Sequence, residues 1–226
     1  MKTVSLVLLC ATLGGAQSPR PASVQASATA SVSVAPDQAR IQIGVVSQAQ
    51  TASAASAQNA SLLQTVLDKL KAAAGPKAEV KTVSYSLTPN YDFSKGAHTL
   101  KGYIANNLVR VTTDDLASVG KIIDAATQSG ANEVSSLEFT LKDQSQARAQ
   151  ALRKAASQAR ADAEAMAGAL SLKLGKVIYL DEGGGEPPIR PRAFSAAQTV
   201  SVATPIEQPQ AIEVQATVTV TVALEL

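Results

Sequence analysis

Residues 81–113, KTVSYSLTPNYDFSKGAHTLKGYIANNLVRVTT, decide how the rest of the chain is arranged. The stretch holds Tyr85, Tyr91 and Tyr103, three of the four tyrosines. Two extended runs, 79–91 and 100–112, flank a polar tip at 92–99 that carries Gly96, the pattern of a β-hairpin with a longer loop. On the first arm Val83, Tyr85 and Leu87 alternate with Thr82, Ser84 and Ser86, which predicts a strand with one buried face. On the second arm Tyr103, Ala105, Asn107, Val109 and Val111 share one face. Ile104 and Leu108 take the other, which predicts a central strand covered by helices or by another subunit.

Working outward, 30–35 and 39–48 read as strands joined by a turn at Pro36–Asp37, where proline fixes φ and aspartate bonds the following backbone. Residues 51–74 read as a helix with Ala52, Ala55, Asn59, Leu62, Val66 and Leu70 on one face, ended by Gly75 and Pro76. After the hairpin, Thr113 or Asp114 is expected to cap a helix that runs to Gly130, with Leu116, Val119, Ile123 and Ala126 inward. Residues 132–142 form a further strand. Its apolar members switch from Val134 to Leu137, Phe139 and Leu141, which predicts a bulge near Ser135–Ser136. The order strand, helix, strand, strand, helix, strand is a split βαβ arrangement, ferredoxin-like in connectivity. The halves 39–91 and 100–142 resemble each other. The predicted class is α+β: a mixed β-α-β-β-α-β sheet, a long third helix and C-terminal strands.

The third helix is predicted over 143–170, with Leu152, Ala155, Ala159, Ala163 or Asp162, Met166 and Leu170 as its stripe. At 1.5 Å per residue it reaches roughly 40 Å, long for so small a domain. Residues 176–181 read as a strand. The connection 182–210 holds Gly183–Gly185 and five prolines, and a loop of that length inside a domain is functional or disordered. Residues 211–226 alternate strictly from Ile212 to Leu224, giving a strand of roughly 50 Å that needs partners at both edges or a protected edge.

The chain has 226 residues, 46% hydrophobic and 3% aromatic, with no tryptophan. Alanine inflates the apolar share, so closely packed helices and modest stability are expected. Basic and acidic residues number 20 and 18, spread along the chain. A nucleic-acid binder would show a basic stripe with interleaved aromatics, and none is present.

The N-terminus reads as an export signal over 1–16: Lys2, the apolar run 4–13, then Gly14–Gly15–Ala16 for cleavage. That run is too short to span a bilayer. Leu9 stands before Cys10 where a lipobox wants a small residue, which argues against lipidation. Cys10 is the only cysteine, so the exported chain is expected to lack thiol chemistry and disulfides. Residues 17–28 read as a flexible lead-in to a domain over 29–226.

Chemistry-bearing patterns are sparse. His98, the only histidine, falls at the hairpin tip and reads as a solvated loop residue rather than a metal ligand. Asp114–Asp115 reads as a helix cap rather than a carboxylate pair. Asp92, Glu138 and Asp181 are available for glycoside hydrolysis, but no spacing supports them. Gly183–Gly185 lacks the Lys-Ser/Thr of a phosphate loop. Asn59–Ala60–Ser61 is a sequon inside a helix. Tyr91, Phe93, Arg190, Arg192 and Phe194 combine aromatic and guanidinium groups with loops, a composition common in contact surfaces. No catalytic, cofactor or metal residues are assigned.

The residues so laid out resemble the SIMPL domain family, which includes YggE-like bacterial periplasmic proteins and the periplasmic immunogenic protein. The matching stretches are SVSVAPDQARIQIGVVSQAQTASAA, VKTVSYSLTPNYDF, LKGYIANNLVRV, DLASVGKIIDAATQSGANEVSSLEFTLKD, ARAQALRKAASQARADAEAMAGAL and LGKVIYLDEGG, with the terminal strand. The resemblance implies a secreted or periplasmic protein, homo-oligomeric in some relatives, linked to the cell envelope and to tolerance of oxidative stress. It implies no established enzymatic activity. The expected function is homo-oligomeric assembly with envelope or partner contacts, the over-long helix and last strand finding burial against other copies. The alternative is a periplasmic saccharide-binding protein or a carboxylate-based hydrolase.

Overall fold

The hairpin forms as β3 (Glu79–Asp92) and β4 (Thr99–Thr113), antiparallel from Glu79 opposite Thr112 to Asp92 opposite Thr99, with register shifts between Thr82 and Ser84 and between Asn90 and Tyr91. The computed structural model describes residues 22–93, 98–183, 190–192, 204 and 206–225, without the side chains of 190–192. Residues 1–21, with Cys10 and the expected export signal, and the tip residues 94–97 lie outside the described residues.

β4 pairs on its other side with β2 (Gln38–Ala49), and β2 pairs with β5 (Glu133–Thr140). The sheet order is therefore β3-β4-β2-β5, all antiparallel. Helices α1 (Ala52–Ala74) and α2 (Val119–Gln128) complete the expected β-α-β-β-α-β connectivity. The bulge predicted near Ser135 is present: Gln42 faces Ser136 and Ile43 faces Val134, which leaves Ser135 as the extra residue.

The core follows from β2 and β4. Ile41, Ile43, Val45, Val109 and Val111 are fully buried against Val66 and Leu70 of α1 and Ile122 of α2. On α1 the inward residue between Asn59 and Val66 is Leu63, not Leu62, which is 39% exposed. Asn59 is buried. It donates its amide to the carbonyls of Val45 (2.6 Å) and Ala105 (3.1 Å), stitching α1 to two strands, so the sequon is shielded. Thr51 caps α1 by accepting from the Ala54 N–H, and Gly75 ends it at φ 77°.

Two expectations near this sheet are corrected. β3 is an edge strand, and Val83, Tyr85 and Leu87 are exposed rather than buried on one face. Alternation alone does not tell an edge strand from a covered one. The second helix begins as a 3₁₀ turn, Leu116–Ser118, with no side-chain cap. Asp114 bonds Lys142 instead, at 2.7 Å.

The rest of the chain builds a second sheet. β1 (Ser23–Val34) starts inside the stretch read as a flexible lead-in. It pairs along its whole length with β8 (Ala211–Glu225). β6 (Lys173–Glu182) takes the other edge of β8, and the short β7 (Arg190–Arg192) pairs beyond it with residues 211–213. Hydroxyl residues line the open face, with Thr29 and Thr217 bonded at 2.8 Å.

Helix α3 (Ser145–Ala169) covers the opposite face. Its buried residues are Ala147, Ala151, Ala155, Ala159, Ala163 and Ala167, an alanine at every fourth position. Ala159 and Ala163 meet Ala26, Ala28, Val220 and Val222, and Ala147 meets Ile212 and Val214. Small side chains on both layers let helix and sheet pack tightly, at about 0.8 kcal/mol for each buried methyl. The expected stripe fails at Met166 and Leu170, which are exposed. The over-long helix and last strand are thus buried within one chain, β8 between two strands and beneath α3. Neither needs another copy, so the first argument for assembly does not hold.

A polar knot ties the strand links together. Thr140 O accepts from the Asp37 N–H, and Asp37 Oδ1 accepts from the Lys142 N–H at 2.7 Å. The Pro-rich connection is anchored at its far end, where Thr204 donates to the Asp124 carboxylate on α2 and Ile206 joins the first core.

Candidate functional site

Two exposed apolar surfaces stand out, one on each sheet. The first is the hairpin tip. Tyr91 and Phe93 are 44% and 66% exposed, with ring centroids 6.4 Å apart. His98 closes on Phe93 edge-on at 4.9 Å. Lys101 and Asp92 pair at 3.2 Å beneath them. These contacts hold the two arms together at the tip and leave the aromatic faces to solvent.

Two other members of the expected contact surface belong to the other sheet. Arg190 and Arg192 belong to β7 on the other sheet, opposite Glu213 and Ala211. Phe194 lies outside the described residues. Among the described residues of that set the structure brings together Tyr91 and Phe93.

The second surface is β6, which sequence reasoning missed. Val177, Ile178, Tyr179 and Leu180 are consecutive, and all are about half exposed or more. Their register against β8 slips twice, between Leu174 and Val177 and between Val177 and Tyr179. Strict alternation is lost there, so apolar groups point to both faces. β6 ends the sheet order, so its outer backbone edge pairs with no described strand. Edge strands are usually guarded by charge, proline or bulges. Here the first register shift with Lys173 and Lys176 guards the first half, while Val177–Leu180, which holds the second shift, carries no charge. Met166 and Leu170 add exposed apolar groups from the last turns of α3, the helix over this sheet. The available signal was the unbroken run VIYL between Gly175 and Gly183.

The acids weighed for hydrolysis are separated. Asp92 ends β3 and Glu138 lies on β5, at opposite edges of one sheet, and Asp181 is on β6 of the other. Among the described residues no group of three His, Cys, Asp or Glu side chains is placed to hold a metal. Perturbed titrations belong to the connections. The Lys142 ammonium and then the Gln38 amide, hydrogen-bonded to Asp114, hold its carboxyl below the ordinary 3.8, and the Asp114 bond raises Lys142. Asp143 is lowered by the backbone N–H and then the hydroxyl of Ser145, the first residue of α3. These are structural roles at strand and helix ends. Among the described residues no helix is long and apolar enough to cross a membrane.

Comparison with known proteins finds relatives over most of the chain. The "26 kDa periplasmic immunogenic protein" of Brucella melitensis is 28% identical over 191 residues, 82% of this chain and 76% of its own. "Uncharacterized protein YggE" of Edwardsiella ictaluri is 28% identical over 200 residues, 85% and 82% of the two chains. The Escherichia coli K12 protein of that name is 29% identical over 151 residues, 67% of this chain and 61% of its own. Among solved structures, AtUAH in complex with glyoxylate aligns at a TM-score of 0.27 with 13% identity, over 49% of this chain and 27% of that one, too remote to bear on the reading. The family described as "SIMPL: Protein of unknown function (DUF541)" matches residues 24–222, from the second residue of β1 to Val222, near the end of β8. By that match the chain belongs to the SIMPL family.

Proposed function

We propose that this protein is exported to the periplasm and works there without chemistry of its own, by assembling with copies of itself through the edge of β6. The observation that carries the reading is the uncharged run Val177–Leu180 on an edge strand whose outer backbone groups are unpaired among the described residues. A strand added there would bond the backbone and cover apolar side chains on both faces, the combination used in β-augmentation. The name of the Brucella relative as a periplasmic protein supports the compartment. The export signal read at 1–16 supports it independently.

In this reading the hairpin tip with Tyr91 and Phe93 is a second contact surface, open to an envelope protein. Tolerance of oxidative or envelope stress follows from the assembly and its contacts. Light scattering on the mature protein tests this. Wild type should exceed the monomer mass, and the double variant Ile178→Lys, Leu180→Lys should fall to monomer with its circular dichroism unchanged. A wild-type monomer at all concentrations, or a double variant that still assembles, would overturn the proposal.

A further inference from the structure

The open face of the first sheet, the side away from α1 and α2, carries a feature that neither the family nor the assembly reading explains. Lys81, Arg110 and Arg40 lie on β3, β4 and β2, three neighbouring strands. Lys81 is directly opposite Arg110 in the ladder. Arg40 is opposite Thr112, which places it diagonal to Arg110. Residues that face each other so are within side-chain reach, and like charges directly opposite destabilise a sheet. Arg40 and Arg110 are moreover half-buried on the two central strands, where repulsion is less screened than at a rim.

The carboxylates on this face do not balance the row. Glu79 pairs with Lys81 at 2.5 Å. Glu138 stands opposite Arg40 on β5, but no ion pair joins them within 4.0 Å. Arg40 instead donates its Nε–H to Gln38 Oε1 at 3.3 Å. Asp114, at the margin, is already taken by Lys142. Arg110 has no hydrogen-bond or ion-pair partner among the described residues. The three cations, with Glu79, Gln38, Thr82, Val83 and Thr112, line a groove of about 560 Å³.

We propose that this groove binds a phosphate-type oxyanion, held by the Arg110 and Arg40 guanidinium groups with Lys81 as an added point charge. Planar guanidinium groups match the geometry of phosphate oxygens, and two of them from adjacent strands can share one such group. An anion bridging Arg110 and Arg40 would neutralise the two neighbouring guanidinium groups, beside a Lys81 already paired with Glu79. The sheet would then hold its like charges at less cost in the bound state than in the free one.

The test is calorimetric titration of the mature protein with pyrophosphate and, separately, inorganic phosphate, in a weakly coordinating buffer at low salt. Pyrophosphate is expected to bind more tightly than phosphate, and its affinity to fall as salt rises. Arg110→Gln and Arg40→Gln are each expected to weaken binding at least about tenfold, the scale of one charge-assisted bond. Arg160→Gln, on the exposed side of α3, removes the same charge elsewhere and should leave affinity unchanged. Arg110→Lys keeps the charge, guards against loss of fold and should bind with intermediate affinity. Absence of binding to wild type, or an equal loss in Arg160→Gln and Arg110→Gln, would overturn the proposal.

Discussion

Replacing Ala159 by leucine tests the packing of α3 on its sheet. Ala159 has no exposed surface and sits against Ala26, Ala28, Val220 and Val222. Its row runs from Ala147 to Ala167 at every fourth position. A row of i±4 residues forms a single ridge on a helix, inclined to its axis. Where both layers are built of alanine and valine, three added carbons have no space to enter. Overpacking of this kind costs about 1–3 kcal/mol. Helix propensity is nearly the same for the two residues, so it neither offsets nor adds to that cost. For a chain of this size each kcal/mol lowers the midpoint by about 2–4 °C, so the expected fall is about 2–12 °C. Ala161→Leu, two residues on and exposed, should stay within about 0.5 kcal/mol. Calorimetry or urea unfolding of both variants makes the comparison. If Ala159→Leu is neutral or stabilising, there is room beside the helix, and the close packing described here is wrong.

Other outcomes follow from single residues. Gly102 has φ 140°, and a Cβ there would collide with the backbone carbonyl of Ala49. Gly102→Ala should therefore cost at least about 1–3 kcal/mol from backbone strain alone, read as a lower urea midpoint. Asp114 titrates below 3.8 in the folded chain. Its contribution is present above the unfolded carboxylate value and is lost as pH falls through the depressed one. The wild type should thus be more stable than Asp114→Asn at neutral pH, the gap closing in acid. Lys142 is raised above 10.5, so its contribution is full below that value and disappears as pH rises through the raised one. Melting curves against pH for both proteins check the two limbs.

Much of this architecture was legible because it is local. The β-α-β-β-α-β order, the Gly75 stop and the Ser135 bulge all follow from apolar spacing and breaker residues. Strand alternation reports a pleat but not a neighbour, so Val83, Tyr85 and Leu87 read as a buried row when β3 is an edge. Hydropathy favours Leu152, Met166 and Leu170 as the face of α3, yet helix packing on a tightly fitted sheet selects alanine by size. Partnership between β1 and β8, far apart in the chain, leaves no short-range signature. β8 thus finds both partner strands, β1 and β6, within its own chain. Of the contact surface, Tyr91 and Phe93 were visible as aromatics near a hairpin tip. The exposed face of β6 was not, since a continuous apolar run reads equally well as a strand buried on both sides.

Hydrogen exchange followed by mass spectrometry, at several concentrations of the mature protein, tests the central claim most directly. Amides of α3 and β8 should be protected equally at every concentration, because one chain buries them. Amides along β6 should gain protection as concentration rises. Protection that instead grows over 145–169 and 211–225, with 173–182 unchanged, would contradict both the intrachain burial and the place given to the interface.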